Sequence, residues 1–265
     1  GRCVTPHDNR VELYDKIAVY DRRSDSGSAR TKVNTTLAYE RQADNGGNIA
    51  LAKAPNGTLW AAYIDTDAWP NADLHVAYST DGCTWTEEAV VTNIRFAPQF
   101  VSPGRTIAIM VDSNSVPHIF YISTVSSPTE DRLMYVNRVG GTWGTPQVVY
   151  TAGVGINISG LGACIGSDNT FHAVIQIWAA NTTYSVLYFT GTTGSWSAAQ
   201  TVNDTTYSAG MGVAYPDITV NSANLPVCVY KDAGGLKFNT RNGGTWANEE
   251  TITTNVTTAT TSDAG

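Results

Sequence analysis

From residue 49 onward, apolar residues come in short runs, often alternating with polar ones and separated by Gly, Asn, Asp, Ser or Thr. That is the period of half-buried β-strands, and no stretch sustains the 3.6-residue period or the caps of a helix. The runs also recur in a fixed order. Small apolar strands come first: Ile49-Ala50-Leu51-Ala52, Ile107 to Val111, Leu161 to Ile165 and Ile218-Thr219-Val220. Each is followed by a polar turn, centred on Asn56, Ser113, Asp168 and Ser222, and then by a second strand. The second strands are Leu59 to Tyr63, Pro117 to Tyr121, Phe171 to Ile175 and Pro226 to Tyr230. A third run carries Tyr78, Tyr135, Tyr188 or Phe238, and seven or eight residues later comes a tryptophan behind a Gly-containing turn.

Those tryptophans, Trp85, Trp143, Trp196 and Trp246, are spaced 58, 53 and 50 residues apart. A unit of four short strands leaves apolar residues on both sheet faces, so it must pack between copies of itself. Four strands at a period of about 50 residues predict an all-β propeller of four-stranded blades. A β-sandwich is the competing all-β fold, and it leaves the repeat unexplained. The four clear blades span about 49–91, 107–150, 160–202 and 215–252. Residues 1–48 hold two strand-like stretches without a Gly-x-Trp and read as an arm or a degenerate fifth blade. Residues 253–265 read as a Thr-rich closing strand or tail.

Ser79-Thr80-Asp81-Gly82-Cys83-Thr84-Trp85 resembles a shortened Asp box, the Ser-x-Asp-x-Gly-x-x-Trp turn of sialidase-type propellers. The other three turns keep Gly and Trp and lose the Asp. Val116-Pro117-His118-Ile119-Phe120-Tyr121 is similar to a strand of the bacterial Asp-box-like (neuraminidase) repeat families. The resemblance covers roughly 49–252. It implies a propeller in which the Asp box is structural, and it says little of activity.

Composition changes this picture in three ways. The net charge of −7 and pI near 5.0 argue against a general nucleic-acid binder. No apolar run reaches the roughly 18–20 residues of a transmembrane helix. Half of the 16 Lys and Arg residues lie within residues 2–41, which suggests an arm with its own partner, one route to an oligomer. The chain opens at Gly1 rather than Met and so reads as a mature or excised piece. Cys3, Cys83, Cys164 and Cys228 are too dispersed for a zinc knuckle and suit one or two disulfides. Cys164 with Cys228 would join neighbouring blades, and Cys3 with Cys83 would pin the arm. Sequons occur at Asn34, Asn56, Asn157, Asn181, Asn203 and Asn255. Together these features favour an extracellular, cell-surface or virion location.

Binding chemistry is expected on the propeller face with the longer loops. Trp69, flanked by Asp65, Asp67, Asn71 and Asp73, is the leading glycan site, because indole stacks on sugar and carboxylates or amides engage its hydroxyls. Trp178 lies on the corresponding loop of the third blade. The same acidic cluster is a conceivable Ca²⁺ site without the spacing of a known calcium loop; no other cofactor or metal is implied. Arg95 and Asn93 sit in the following inter-blade loop. His118 and His172 occupy the register of Trp60 and Val227 and read as structural. The four Gly-x-Trp tryptophans share one register and read as blade core. The enzymatic alternative is a sialidase-like glycosidase or polysaccharide lyase. Sialidases of the resembled family need an arginine triad, a Tyr–Glu nucleophile pair and an acid Asp, whereas an ordinary glycosidase would need paired carboxylates, with Asp65 and Asp67 the first to test. The early Arg-Ile-Pro motif of sialidases is absent and glutamates are few, so the sequence favours a non-catalytic attachment module, holding glycans or other surface subunits.

Overall fold

The computed structural model describes residues 49–68, 71–95, 106–126, 129–179, 183–206, 216–232 and 235–254. They form four antiparallel sheets, each meandering outward in chain order. The first blade is β1 (Ile49–Lys53), β2 (Leu59–Ala68), β3 (Asn71–Ser79) and β4 (Thr86–Arg95). The second is β5 (Ile107–Val111), β6 (Pro117–Ser126), β7 (Thr129–Val139), the short β8 (Thr142–Trp143) and β9 (Gln147–Thr151). The third is β10 (Ile156–Ile165), β11 (Phe171–Ala179), β12 (Thr183–Thr192), the short β13 (Ser195–Trp196) and β14 (Gln200–Thr206). The fourth is β15 (Asp217–Val220), β16 (Pro226–Asp232), β17 (Gly235–Asn242) and β18 (Thr245–Thr253). The first strands β1, β5, β10 and β15 lie side by side in that order, as the inner strands of a propeller do. The chain is therefore an all-β propeller with four blades among the described residues. The proposed fifth blade or arm, with Cys3, and the tail beyond Thr254 lie outside them.

Three apolar clusters fill the seams between consecutive blades. Trp60, Ala62, Ile64, Leu74 and Val76 of blade one meet Ile107, Ile119, Tyr121 and Val136 of blade two. Phe120, Leu133 and Tyr135 meet Leu161, Phe171 and Ile175 at the next seam, and Val174, Val186 and Tyr188 meet Ile218, Cys228 and Tyr230 at the last. Strand alternation supplies both faces: in β11, Phe171 and Ile175 look back while Val174 looks forward. At Gly162 a Cβ would stand 2.8 Å from Asp217 Cα, so glycine lets β10 and β15 pass at this distance. β5 is largely buried, whereas β1 leaves Ile49 and Leu51 exposed.

The tryptophans sit at the entrance to the outer strand, and three of them cover the preceding blade. Trp196 packs edge-on to Tyr135 at 4.9 Å and Trp246 edge-on to Tyr188 at 5.1 Å. Trp143 joins the cluster that holds Tyr78. Behind each, the turn glycine takes positive φ, 87° at Gly141 and 89° at Gly244, a region that side chains resist. In the first blade Asp81 organises the turn, its Oδ1 accepting from the Ser79 hydroxyl at 2.9 Å and the Cys83 and Thr84 N–H groups at 2.8 and 2.7 Å. Those donors hold its carboxyl well below the usual range.

Polar clips reinforce the seams. Glu88 on β4 accepts two bonds from Arg138 of the second blade, at 2.9 and 2.8 Å, and one from Trp143 Nε1 at 3.1 Å. Arg138 also lies over the Trp60 and Tyr78 rings. At the last seam Gln200 Oε1 takes the equivalent part, accepting from Arg241 Nε at 3.0 Å while Arg241 covers Tyr188. Glu88→Ala should therefore lower stability by about 2 kcal/mol, since a partly buried guanidinium loses its acceptor. Glu88→Gln should keep more than half of that, by the precedent of Gln200. Urea unfolding of the three proteins checks the order, and equal losses for both variants would contradict it.

At the same end of the blades, the turns between first and second strands bond to one another from blade to blade. Asn56 N–H donates to Ser115 Oγ at 3.2 Å, Ser113 N–H to Asn169 Oδ1 at 3.0 Å, and Ser167 N–H to Asn224 Oδ1 at 2.9 Å.

The expected pairing of Cys3 with Cys83 falls on a residue outside the described ones, and Cys164 and Cys228 are not joined in this structure. Cys83, Cys164 and Cys228 are free thiols, Cys83 exposed at the Asp81 turn. Cys164 and Cys228 reach the same cluster without joining, and act as small apolar fillers. Burial pushes the Cys164 thiol up to about 12 and raises that of Cys228 as well. Of the sequons, Asn56 is exposed in its turn and Asn157 is half-buried in β10. Asn203 is half-buried and donates to Glu249 at 3.2 Å. Asn34, Asn181 and Asn255 lie outside the described residues. No helix among the described residues is long and apolar enough to cross a membrane.

Candidate functional site

The end of β4 is bent by a bulge. Ala72 pairs with Ile94 but Leu74 pairs with Val91, so Thr92 and Asn93 together face Asp73. Asn93 adopts φ of 60°, a conformation asparagine tolerates better than most residues. Asp73 Oδ1 accepts the Asn93 N–H at 2.7 Å and fixes the bulge. Bulges re-aim side chains at the rims of sheets. Here the bulged segment forms one wall of a cleft of about 490 Å³ between the first and second blades.

The other wall comes from β6 and β7. Tyr121, Val125 and Met134 provide apolar surface, and Ser123 adds a hydroxyl. Burial raises the Tyr121 phenol pKa, so it stays protonated. Arg95, the last residue of β4, is half-buried and lines the cleft, and its Nε is buried without a hydrogen-bond partner. No Asp, Glu or His is among the described residues lining the cleft. The described lining can hold a polar molecule against an apolar wall.

The residues singled out from the sequence do not converge on this cleft. Alternation along β2 turns Trp60, Ala62 and Ile64 toward the second blade and leaves half-buried Asp65 on the other face with Tyr63. There Tyr63 stacks on His75, which lies 3.2 Å from Glu87 and 4.0 Å from Asp73. Asp73 is thus a positioning group for the bulge. Trp69 and the side chains of Asp67 and Asn71 lie outside the described residues. Trp178 is half-buried, stacked on Tyr184 in the third blade with centroids 6.3 Å apart. Asp131 is buried, accepting from Thr124 Oγ1 at 2.7 Å and the Ile158 N–H at 2.9 Å, and burial raises its pKa. It ties the second blade to the third. Among the described residues no group of three or more His, Cys, Asp or Glu could hold a metal ion.

His118 and His172 repeat one arrangement. Each ring Nδ1 hydrogen-bonds, at 2.7 Å, the phenol of the third-strand tyrosine of its own blade, Tyr135 or Tyr188. Both rings are buried, and burial lowers both pKa values, His172 to about 4. The repeated geometry makes them core groups. Arg95 was visible in the sequence as one of few arginines beyond residue 48, but nothing local marked it as unpaired.

No protein-family model and no curated protein matches the chain. Solved structures do. A Hadza microbial sialidase (Hz136) aligns with a TM-score of 0.53 at 16% identity, over 77% of this chain and 46% of that one. The GH93 α-L-arabinofuranosidase of Fusarium graminearum aligns with a TM-score of 0.54 at 14% identity, over 78% and 65%. A protein of unknown function from Dyadobacter fermentans gives 0.52 at 13% identity, over 78% and 64%. The chain thus spans about half to two thirds of the length of these structures. At such identities the likeness concerns the fold: the chain shares the β-propeller architecture of a sialidase and an arabinofuranosidase.

Proposed function

We propose that this chain is a carbohydrate-directed propeller that holds a glycan on its long-loop face. The observation that carries the reading is the cleft between the first two blades, with an apolar wall of Tyr121, Val125 and Met134 beside Asn93 and Ser123. Small-molecule sites commonly combine such walls with a few polar groups. An exported setting at a cell or virion surface belongs to the same proposal, with residues 1–41 as the contact to further subunits.

A second reading is glycoside hydrolysis or polysaccharide cleavage, and the likeness in fold to a sialidase and an arabinofuranosidase favours it over plain attachment. Fold likeness alone does not transmit activity. Asp65 and Asp67 are its candidate carboxylates. The full chain, incubated with sialosides, arabino-oligosaccharides and acidic oligosaccharides, is to be assayed for binding by calorimetry and for product release. Saturable binding without release supports the glycan-holding role. Release that is lost in Asp67→Asn replaces it with the enzymatic one. Neither binding nor release overturns the carbohydrate reading.

A further inference from the structure

We propose that the long-loop end of the seam between the third and fourth blades is a subsite for a neutral sugar, whose adjacent hydroxyls meet the Gln176 carboxamide. This rests on the carbohydrate reading and adds to it a second place and a ligand class.

Gln176 breaks the repeat. Counted from the start of each second strand, Ile64, Ile122 and Gln176 share one register. The two isoleucines are buried in the apolar clusters that join their blades to the next. Gln176 is completely buried, and neither its Nε2 nor its Oε1 has a hydrogen-bond partner. It stands on the same face of β11 as Val174, turned toward the fourth blade. Its partner on β10 is Gly160, beside the bulged Ser159, whose Oγ is also buried and unpartnered. An unsatisfied carboxamide in a seam lowers stability, and local rules are broken in this way chiefly at functional sites.

The fourth blade carries polar groups at the register that lines the cleft of the first seam. Tyr230, Asp232 and Lys237 stand where the second blade has Tyr121, Ser123 and Met134. Tyr230 donates its hydroxyl to Glu249, which also accepts from Lys237 Nζ at 3.1 Å and, across the seam, from Asn203 Nδ2 at 3.2 Å. Asp232 lies 3.7 Å from the same ammonium. Two carboxylates against one ammonium leave this group net negative, which disfavours an acidic ligand. A carboxamide sets a donor beside an acceptor, and a vicinal diol can meet both, because each hydroxyl donates and accepts. Glu249 is partly exposed, and Trp178 and Asn203 are half-buried, so this end of the seam meets solvent.

The test is a calorimetric titration of the full chain with cellotriose, xylotriose, mannotriose and trigalacturonate, together with thermal melts. Wild type should bind at least one neutral trisaccharide, and bind trigalacturonate about tenfold more weakly or less. Gln176→Ile, which installs the residue of the two preceding blades, should weaken neutral binding about tenfold or more. The same variant should melt at or above the wild-type temperature, because it removes polar atoms that have no partner. Gln176→Met keeps the length of the side chain and should behave alike if the branched residue fits poorly. Trigalacturonate binding as tightly as the neutral sugars would overturn the proposal. So would lower melting temperatures in both variants, which would show that the carboxamide is satisfied in the free protein. If neutral trisaccharides bind wild type and both folded variants alike, this subsite fails and the broader carbohydrate reading stands. If no saccharide binds, both fail.

Discussion

Phe171→Ala is expected to lower the unfolding free energy by about 3–5 kcal/mol, the largest effect of any single substitution considered for this chain. Phe171 opens β11 and is almost fully buried. Its ring lies 4.6 Å from His118, 5.7 Å from Tyr135, 6.0 Å from Trp196 and 6.2 Å from Phe120. These partners belong to two blades, so alanine would leave a cavity on the seam that neither sheet can close by a local shift. Urea unfolding should show a lower midpoint with an unchanged slope, since the surface exposed on unfolding is the same. A loss below about 1 kcal/mol would show that the seam collapses around the deletion. Trp196→Ala empties the same space, so the two losses should not add.

Acidification should destabilise the fold before ordinary carboxylates titrate. His172 is buried, which lowers its pKa from 6.5 to about 4; Asp168 opposes that shift and Arg241 adds to it. The unfolded chain takes up the proton first, so stability is complete above pH 6.5 and is lost as pH falls toward 4. The loss from His172 amounts to roughly 2–3 kcal/mol. His118 acts in the same direction, with Asp112 Oδ2 3.6 Å from its Nε2 softening the shift. Asp131 has the opposite sign: its raised pKa makes its share present at low pH and fade as pH rises. Melting temperatures between pH 7.5 and 4.5 should fall steeply in wild type and less in His172→Val. Valine already stands at that position of β16, as Val227. Parallel curves for the two proteins would show that His172 titrates as it does in the unfolded chain.

The propeller was legible because its signals are local and repeated. Gly-x-Trp turns, second strands with a fixed register and Asn- or Asp-led turns recur at one period, and each has a backbone reason, such as positive φ at Gly141 or Gly244. The cleft was not legible, because it depends on contacts between distant segments. Asp73 and Arg95 lie in different strands, and only the bulge at Thr92 and Asn93 relates them. Sequence proximity groups Asp65 with Asp73, yet the alternation of β2 sets Asp65 on the face of Tyr63 rather than that of Trp60. Cys164 and Cys228 join the same cluster across a seam. Sequence proximity carries no information on whether two buried thiols are oxidised.

The tryptophan that ends one repeat completes the core of the repeat before it, so the period of the gene and the period of the packing are out of phase. Excising a blade at its sequence boundaries would remove the cover from Tyr135 or Tyr188 and strand another tryptophan in water. The smallest transplantable unit is therefore a staggered one, running from the first strand of one blade through the tryptophan of the next. Nearest-neighbour coupling of this kind favours collective unfolding over the loss of single blades.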